Sequence, residues 1–420
     1  MPVALAKFAV TYVAVAAGRV PWLSLDRPLA ALLRPSAALL GAVFMVAARV
    51  LSPAEAGAAV NGDTVGLLLG TMILSAYLGE AGFFRWASGR VLDSVRGPRT
   101  LLWAVAFTSG VLSALLVNDT VCLMMTPLVL AMVDGAELPP LPYLLALAFG
   151  ANAGSVATLT GNPQNMIVGT LSGISYARFA AALALPAAVS LVIVAAVLHL
   201  LFRRDLPRTT LARRAGAVVA LDQALLGRAL AATGLAIAGF LAGYPLAWTA
   251  LFAAALLMAI AARAPRDALQ RVDWPLLVFF AGLFIVVAGV ARAGAAARMH
   301  ELIAPLLGEG GPRQAVVFSA FTVVGSQLVS NVPFVILAGQ WIPHLSEPRL
   351  LWLATALAST LAGNLTVIGS VANVIVLELA GSCARIGFWR FFAIGAAVTS
   401  TTLAAGLGIL LLERRLGLLG

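Results

Sequence analysis

Two short, polar, helix-breaking stretches recur about 208 residues apart in a chain otherwise made of apolar runs. The first reads Thr158-Leu159-Thr160-Gly161-Asn162-Pro163-Gln164-Asn165. The second reads Thr366-Val367-Ile368-Gly369-Ser370-Val371-Ala372-Asn373. Thr158 aligns with Thr366, Gly161 with Gly369 and Asn165 with Asn373. Each stretch follows a second polar patch, Asn118-Asp119-Thr120 about 40 residues upstream and Ser330-Asn331-Val332 about 36 residues upstream. Unwound backbone inside hydrocarbon survives only where protein or water satisfies its polar groups. A break that occurs twice at one spacing therefore predicts two related halves that meet around a site near the bilayer midplane.

The membrane setting rests on composition. The chain is 61% hydrophobic and 10% charged, and apolar runs of spanning length recur from end to end, as in a polytopic helical membrane protein. The run opening with Phe8 to Ala17 has no small-residue cleavage site after it and reads as a retained helix. The net charge of +10 comes from Lys7 and 26 arginines. Most of these lie in loops, where topology and anionic lipid account for them, and no basic-aromatic module suggests nucleic acid. Cys122 and Cys383 lack ligand-like spacing and read as small apolar packing residues. His199, His300 and His344 fall near helix ends and form no cluster. The sequence has no Ser-His, paired-Asp or His-Glu-rich constellation, which argues against an enzyme.

Helices are predicted at 3–19, 34–51, 63–80, 142–172, 179–202, 228–243, 246–262, 273–292, 350–380 and 388–412. The segments 101–133 and 313–343 are too long and too polar at their centres for simple spans. Each is predicted to be a re-entrant hairpin with its triplet at the tip. Gly161, Asn162 and Pro163 break the span 142–172. Gly363, Asn364, Gly369 and Ser370 break 350–380. Asp63 and Asp273 open matching helices, and Gly79 matches Gly289. With five spans per half, the second half is inverted: 1–205 forms the first repeat, 206–227 a cytoplasmic linker and 228–420 the second repeat. About 18 Lys and Arg fall at or beside the loops of one side against about 9 on the other, so the richer side is cytoplasmic and both termini face outward.

Asp119 stands at the first hairpin tip. An ionised carboxylate in hydrocarbon costs about 2.5–3.5 kcal/mol, so a cation, a proton or water must offset it. The plainer role is to cap the hairpin's second arm. Sodium or a proton bound at Asp119 would draw further oxygens from Asn118, Thr120, Thr158 and the Gly161 region. The alternative for Asn118, Thr158 and Asn165 is helix–helix hydrogen bonding, worth about 1 kcal/mol. Asn162, Asn165, Ser370 and Asn373 start the second pieces of the broken helices, whose amide groups and positive dipole ends suit polar oxygens. Asn118, Thr120, Ser330, Asn331 and Thr366 complete the candidate substrate set. Glu378 reads first as a snorkelling or water-facing carboxylate and second as a proton relay. Glu80, Arg292 and Arg298 read as solvated helix ends.

Leu116-Val117-Asn118-Asp119-Thr120 with Thr126-Pro127 resembles the first hairpin of arsenite-permease-like proteins. Ala151 to Asn165 is similar to the glycine-threonine-glycine-x-proline-x-asparagine signature of the ion transporter superfamily, which includes arsenite permeases, NhaD-type sodium/proton antiporters and divalent anion/sodium symporters (citrate transporter-like permeases). The resemblance covers nearly the whole chain. It implies a scaffold domain, a transport domain carrying the hairpins and, in some members, a homodimer. The symporters carry Ser-Asn-Thr at both tips, whereas this chain has Asn118-Asp119-Thr120 and Ser330-Asn331-Val332. That departure points away from a two-sodium dicarboxylate mechanism and towards the branches with a carboxylate. A small neutral oxyacid such as arsenite avoids repulsion by Asp119. The expected function is secondary active transport of a small inorganic or organic anion, an arsenite-like oxyanion first, coupled to protons or sodium. The alternatives are a sodium/proton antiporter, a dicarboxylate or citrate-type symporter and a passive channel.

Overall fold

Prolines and capping side chains set the helix boundaries of this chain. The computed structural model describes residues 27–207, 221–308 and 310–419, and among them there is no strand. The first half runs α1 (Arg27–Ala47), α2 (Pro53–Ala59), α3 (Gly62–Glu80), α4 (Phe83–Ser94), α5 (Pro98–Leu115) and α6 (Asn118–Gly135). It continues with α7 (Pro140–Ser155), a 3-10 turn (Leu159–Gly161), α8 (Pro163–Ser172) and α9 (Tyr176–Leu201). The second half runs α10 (Gln223–Leu241), α11 (Leu246–Ile260), α12 (Pro265–Gln270), α13 (Trp274–Arg292), α14 (Ala295–Leu307), α15 (Gly311–Val329) and α16 (Asn331–Ala338). A 3-10 turn (Ile342–His344) leads to α17 (Pro348–Ala362), a further 3-10 turn (Val367–Gly369), α18 (Val371–Ala380), a last 3-10 turn (Gly381–Ala384) and α19 (Phe388–Arg415). Proline stands in the first turn of α2, α5, α7, α8, α12, α13, α15 and α17, where its missing N–H costs nothing.

Both predicted hairpin segments are pairs of helices broken at the polar triplet, α5/α6 and α15/α16. The two predicted breaks are also present, each with a 3-10 turn between the pieces, α7/α8 and α17/α18. The helix expected at 3–19 lies outside the described residues. The helix expected to start at 228 starts at Gln223, because the Asp222 carboxylate accepts the Leu225 N–H at 3.0 Å and caps it. This bond and the Arg263 guanidinium, 2.7 Å away, hold the Asp222 carboxyl below the usual Asp range. Among the described residues five helices are long and apolar enough to cross a membrane: α3, α9, α10, α13 and α19. The spans expected at 142–172 and 350–380 are absent from that set because each is split in two. Those expected at 34–51 and 246–262 yield shorter apolar helices.

The packing exchanges elements between the halves. The first-half helix α1 lies on α13 of the second half, and α11 lies on α3. Both contacts depend on glycine. A Cβ on Gly70 would sit 2.7 Å from the Ala250 carbonyl carbon, and one on Gly282 would sit 2.8 Å from that of Ala38. Small residues at these crossings let the backbones touch. Likewise α6 packs on α18, and α16 packs on α8. Helices α5 with α7, α15 with α17 and α9 with α19 complete the bundle.

The helix ends carry ion pairs rather than simple solvation. Glu80 faces Arg263 at 3.9 Å, Arg292 pairs with Glu55, and Arg414 pairs with Glu347 at 2.5 Å. One expectation is corrected here. Cys122 is buried, but Cys383 is exposed on the 3-10 turn after α18 and is not a packing residue.

Candidate functional site

The site begins with the two broken helices, which fold by the same local rule. In each, an asparagine one turn into the second piece reaches back and ties down the unwound carbonyls. Asn165 Nδ2 donates to Ser155 O and Thr158 O, both at 3.0 Å. Asn373 Nδ2 donates to Gly363 O at 2.7 Å and Thr366 O at 3.1 Å. A shift of 208 residues maps one pair of bonds onto the other. Buried carbonyls left without donors would cost about 1–3 kcal/mol each, so these amides make the breaks tenable.

A second set of bonds crosses between the halves. Asn152 on α7 accepts from Ser370 Oγ at 3.0 Å and donates to Asn364 Oδ1 at 2.9 Å and Asn373 Oδ1 at 3.4 Å. Thr360 on α17 accepts from Asn162 Nδ2 at 3.2 Å and donates to Asn165 Oδ1 at 3.4 Å. The same 208-residue shift relates Asn152 to Thr360, Asn162 to Ser370 and Asn165 to Asn373. Each break is thus held by the helix before the other break. Asn152 also accepts from Asn118 Nδ2 at 3.0 Å, which ties the first hairpin tip to this network. Thr158 Oγ1 donates to Ala114 O at 2.6 Å, and its counterpart Thr366 Oγ1 donates to Gln327 Oε1 at 2.7 Å.

A cavity of about 330 Å³ opens beside this network. Its lining includes Asn118 and Asp119 from α6, and Pro163 and Gln164 from α8. Ser330, Asn331 and Val332 come from the second hairpin, and Ile368, Gly369, Ser370, Val371 and Glu378 from the second broken helix. Asp273, Pro275, Leu276, Phe279 and Phe280 of α13 and Pro35 of α1 close one wall. Besides α13, whose start Asp273 caps, four helices, α6, α8, α16 and α18, start at this lining, each bringing a partial positive charge of about half a unit. Asp119, Asp273 and Glu378 are the lining carboxylates, and no Lys, Arg or His is among the described lining residues. Asn118 Oδ1 and Asn331 Oδ1 are buried with no hydrogen-bond partner. Ser330, at the second tip, holds φ 79° and ψ 156°, a strained conformation for a residue with a Cβ.

The sequence candidates divide into two groups. Asn118, Asp119, Ser330, Asn331 and Ser370 line the cavity together. Thr158, Asn162, Asn165 and Asn373 form the supporting network behind it, with Thr366 bonded to Gln327. Gly161 is the tight corner of that support, since a Cβ there would lie 2.2 Å from Ser155 O. Thr120 is half-buried beside Asp119 and is not among the lining residues. Sequence reasoning passed over Asn152, Thr360, Gln164 and Gln327. The first two stand 208 residues apart, so the repeat spacing was the signal that pointed to them. Glu378 lines the cavity, a position its apolar helix did not reveal.

Comparison with known proteins fits this geometry. A family model described as citrate transporter (CitMHS) matches residues 12–357. The silicon efflux transporter LSI3 of Oryza sativa subsp. japonica is 29% identical over 460 residues, covering 91% of this chain and 92% of its own. A transporter named arsB from Dictyostelium discoideum is 24% identical over 492 residues, covering 90% of this chain and 87% of its own. The crystal structure of the Alcanivorax borkumensis YdaH transporter superposes with a TM-score of 0.60, covering 99% of this chain and 97% of that one at 15% identity. That last likeness is one of fold.

Proposed function

From the premise that this chain belongs to the citrate transporter family, and is a multi-pass membrane transporter rather than an enzyme, we propose that it carries a small neutral oxyacid coupled to protons or sodium through Asp119. The observation that carries this reading is the mixed polarity of the cavity. Four helix starts offer amide donors, while Asn118 Oδ1, Asn331 Oδ1 and Asp119 offer acceptors, with no fixed positive side chain among the described lining residues. A hydroxylated neutral solute, such as arsenous or silicic acid, both donates and accepts and suits this set. A citrate-like trianion meets the Asp119 carboxylate and finds no arginine to pair with, so it suits the site least. The names of the silicon and arsB relatives agree with this order.

Asp119 supplies the coupling. Binding of a proton or sodium neutralises its charge, and the loaded and empty sites then differ in the cost of crossing the low-dielectric interior. The two halves are read as inverted repeats and the protein as residing in the plasma (inner) membrane, with both termini outward. The cavity then opens to the cytoplasm, where α13 begins. A sodium/proton antiporter is the second reading, favoured by the acid-lined cavity.

The test is uptake into proteoliposomes of arsenite, silicic acid and citrate, with and without sodium and proton gradients. Gradient-driven accumulation of the neutral acids is expected, and Asp119→Asn should lower it by at least about tenfold while solute exchange without a gradient continues. Accumulation of citrate alone would overturn the substrate class. Unchanged coupling in Asp119→Asn would overturn the role of that residue. Proton movement on adding sodium, with no solute present, would favour the antiporter.

A further inference from the structure

Glu378 stands at an uncommon place for a carboxylate. It lies in the last turn of α18 (Val371–Ala380), where the helix dipole is negative and a carboxylate is disfavoured. Its counterpart under the 208-residue shift is Thr170, in the last turn of α8, and that helix forms equally well with a neutral residue. Thr170 Oγ1 lies 3.4 Å from Thr64 Oγ1 of α3, so this side chain meets a neighbouring helix. Glu378 instead shares a cavity wall with α13. Its residue is exposed, Asp119 is half-buried, and Asn118 and Asn331 are buried. This order places Glu378 at the mouth and the two unpartnered amide oxygens at the floor.

We propose that Glu378 is a specificity-determining residue of transport, whose carboxylate at the cavity mouth concentrates the coupling cation and turns anions away. The inference rests on the coupled-transporter reading above. The acidic groups alone would not carry it. Its second support is the pair of buried, partnerless oxygens, Asn118 Oδ1 and Asn331 Oδ1, which line the same cavity and suit a cation or a hydroxyl donor. Asp273 also stands in the lining, but its carboxylate accepts the Leu276 N–H at 3.0 Å as the cap of α13. Of the elements packed on α18, α6 brings Asp119 to the cavity, α7 carries no acid or base beyond Tyr143, and the following 3-10 turn carries the exposed Cys383. A cleft of one sign with low-dielectric walls focuses the field and raises the local concentration of counter-ions.

The experiment is arsenite uptake into proteoliposomes, titrating sodium at fixed pH and protons without sodium, for wild type, Glu378→Gln, Glu378→Asp and Glu378→Lys. Choline chloride sets the ionic strength. At about 0.01 M salt, where the Debye length is about 30 Å, Glu378→Gln should raise the half-saturating concentration of the coupling cation about three- to tenfold with its maximal rate kept. At about 0.15 M salt, where that length is about 8 Å, the difference should shrink to under about twofold. Glu378→Asp should restore wild-type values, and Glu378→Lys should exceed Glu378→Gln and admit inhibition by citrate. An unchanged half-saturation at low salt, or a fall in maximal rate alone, would overturn the proposal. So would loss of arsenite exchange in Glu378→Gln, which would make the residue structural. If wild-type uptake ignores both cations, or Asp119→Asn behaves as wild type, the coupled-transporter reading fails instead.

Discussion

The two broken helices carry related sequences and the same internal hydrogen bonds, yet the first reaches the cavity with Pro163 and Gln164 and packs its far end on α3, whereas the second lines the cavity from Ile368 to Glu378. In the first half, α8 rests against α3, and Thr170 meets Thr64. The corner at Gly161 leaves no room for a methyl group, and Thr160 Oγ1 lies 3.2 Å from the Tyr176 hydroxyl. In the second half, Ile368 to Val371 and Glu378 line open space opposite α13. A Cβ at Gly369 would stand 3.0 Å from Gly363 O and 3.1 Å from the Gln327 side chain, a looser corner than that at Gly161. Near-identical local bonding with unequal surroundings means that the breaks themselves are rigid parts. What differs is the helix each one faces. The first break meets α3 at the Thr64–Thr170 contact, and the second shares the cavity with α13.

The strongest way to break this comparison is to lock the α3 side. Thr64→Cys with Thr170→Cys should cross-link under mild oxidation in a Cys122→Ala, Cys383→Ser background and abolish transport, with reductant restoring it. A pair across the cavity, Leu276→Cys with Glu378→Cys, should resist cross-linking in the same state because the cavity lies between them. Equal cross-linking of both pairs would remove the asymmetry.

The next contrast concerns the glycines. Gly161→Ala forces backbone against backbone and should destabilise the protein by about 3 kcal/mol or more. Gly369→Ala should cost less, about 1–2 kcal/mol, since its closest backbone approach is 3.0 Å rather than 2.2 Å. Thermal unfolding in detergent reads both, and equal losses would contradict the tighter first corner. The smallest difference should come from the crossing bonds. Asn152→Ala leaves several buried amides without partners and should cost about 2 kcal/mol, against about 1 kcal/mol for Thr360→Val. Because Asn152 alone reaches the first hairpin tip, its loss should also weaken arsenite exchange more than Thr360→Val does.

Much of this arrangement could be read from the chain. The break positions followed from Gly161-Asn162-Pro163 and Gly369-Ser370, and the hairpin tips from Asn118-Asp119-Thr120 and Ser330-Asn331-Val332. Asn165 and Asn373 stood out through their shared spacing. Proline and capping residues act within one turn, so such signals survive in a linear sequence. Glu378 reads from the sequence as a snorkelling or water-facing carboxylate, and nothing in α18 shows which neighbour it faces. Asn152 was hidden in α7, a helix buried from Pro142 through Ser155 with no polar face to set its rotation.

The sequence by itself determined an all-helical membrane chain, two breaks and two tips at matching intervals, and one carboxylate at a tip. Each of these follows from the local cost of interrupting a helix or burying a charge in hydrocarbon. Only the tertiary structure decided that Asn152 and Thr360 hold the opposite breaks, that Glu378 shares a cavity with Asp119, and that α13 lines this cavity. Those outcomes depend on helix rotation and on contacts between residues about 200 positions apart, and a sequence that is apolar on every helix face leaves both unspecified.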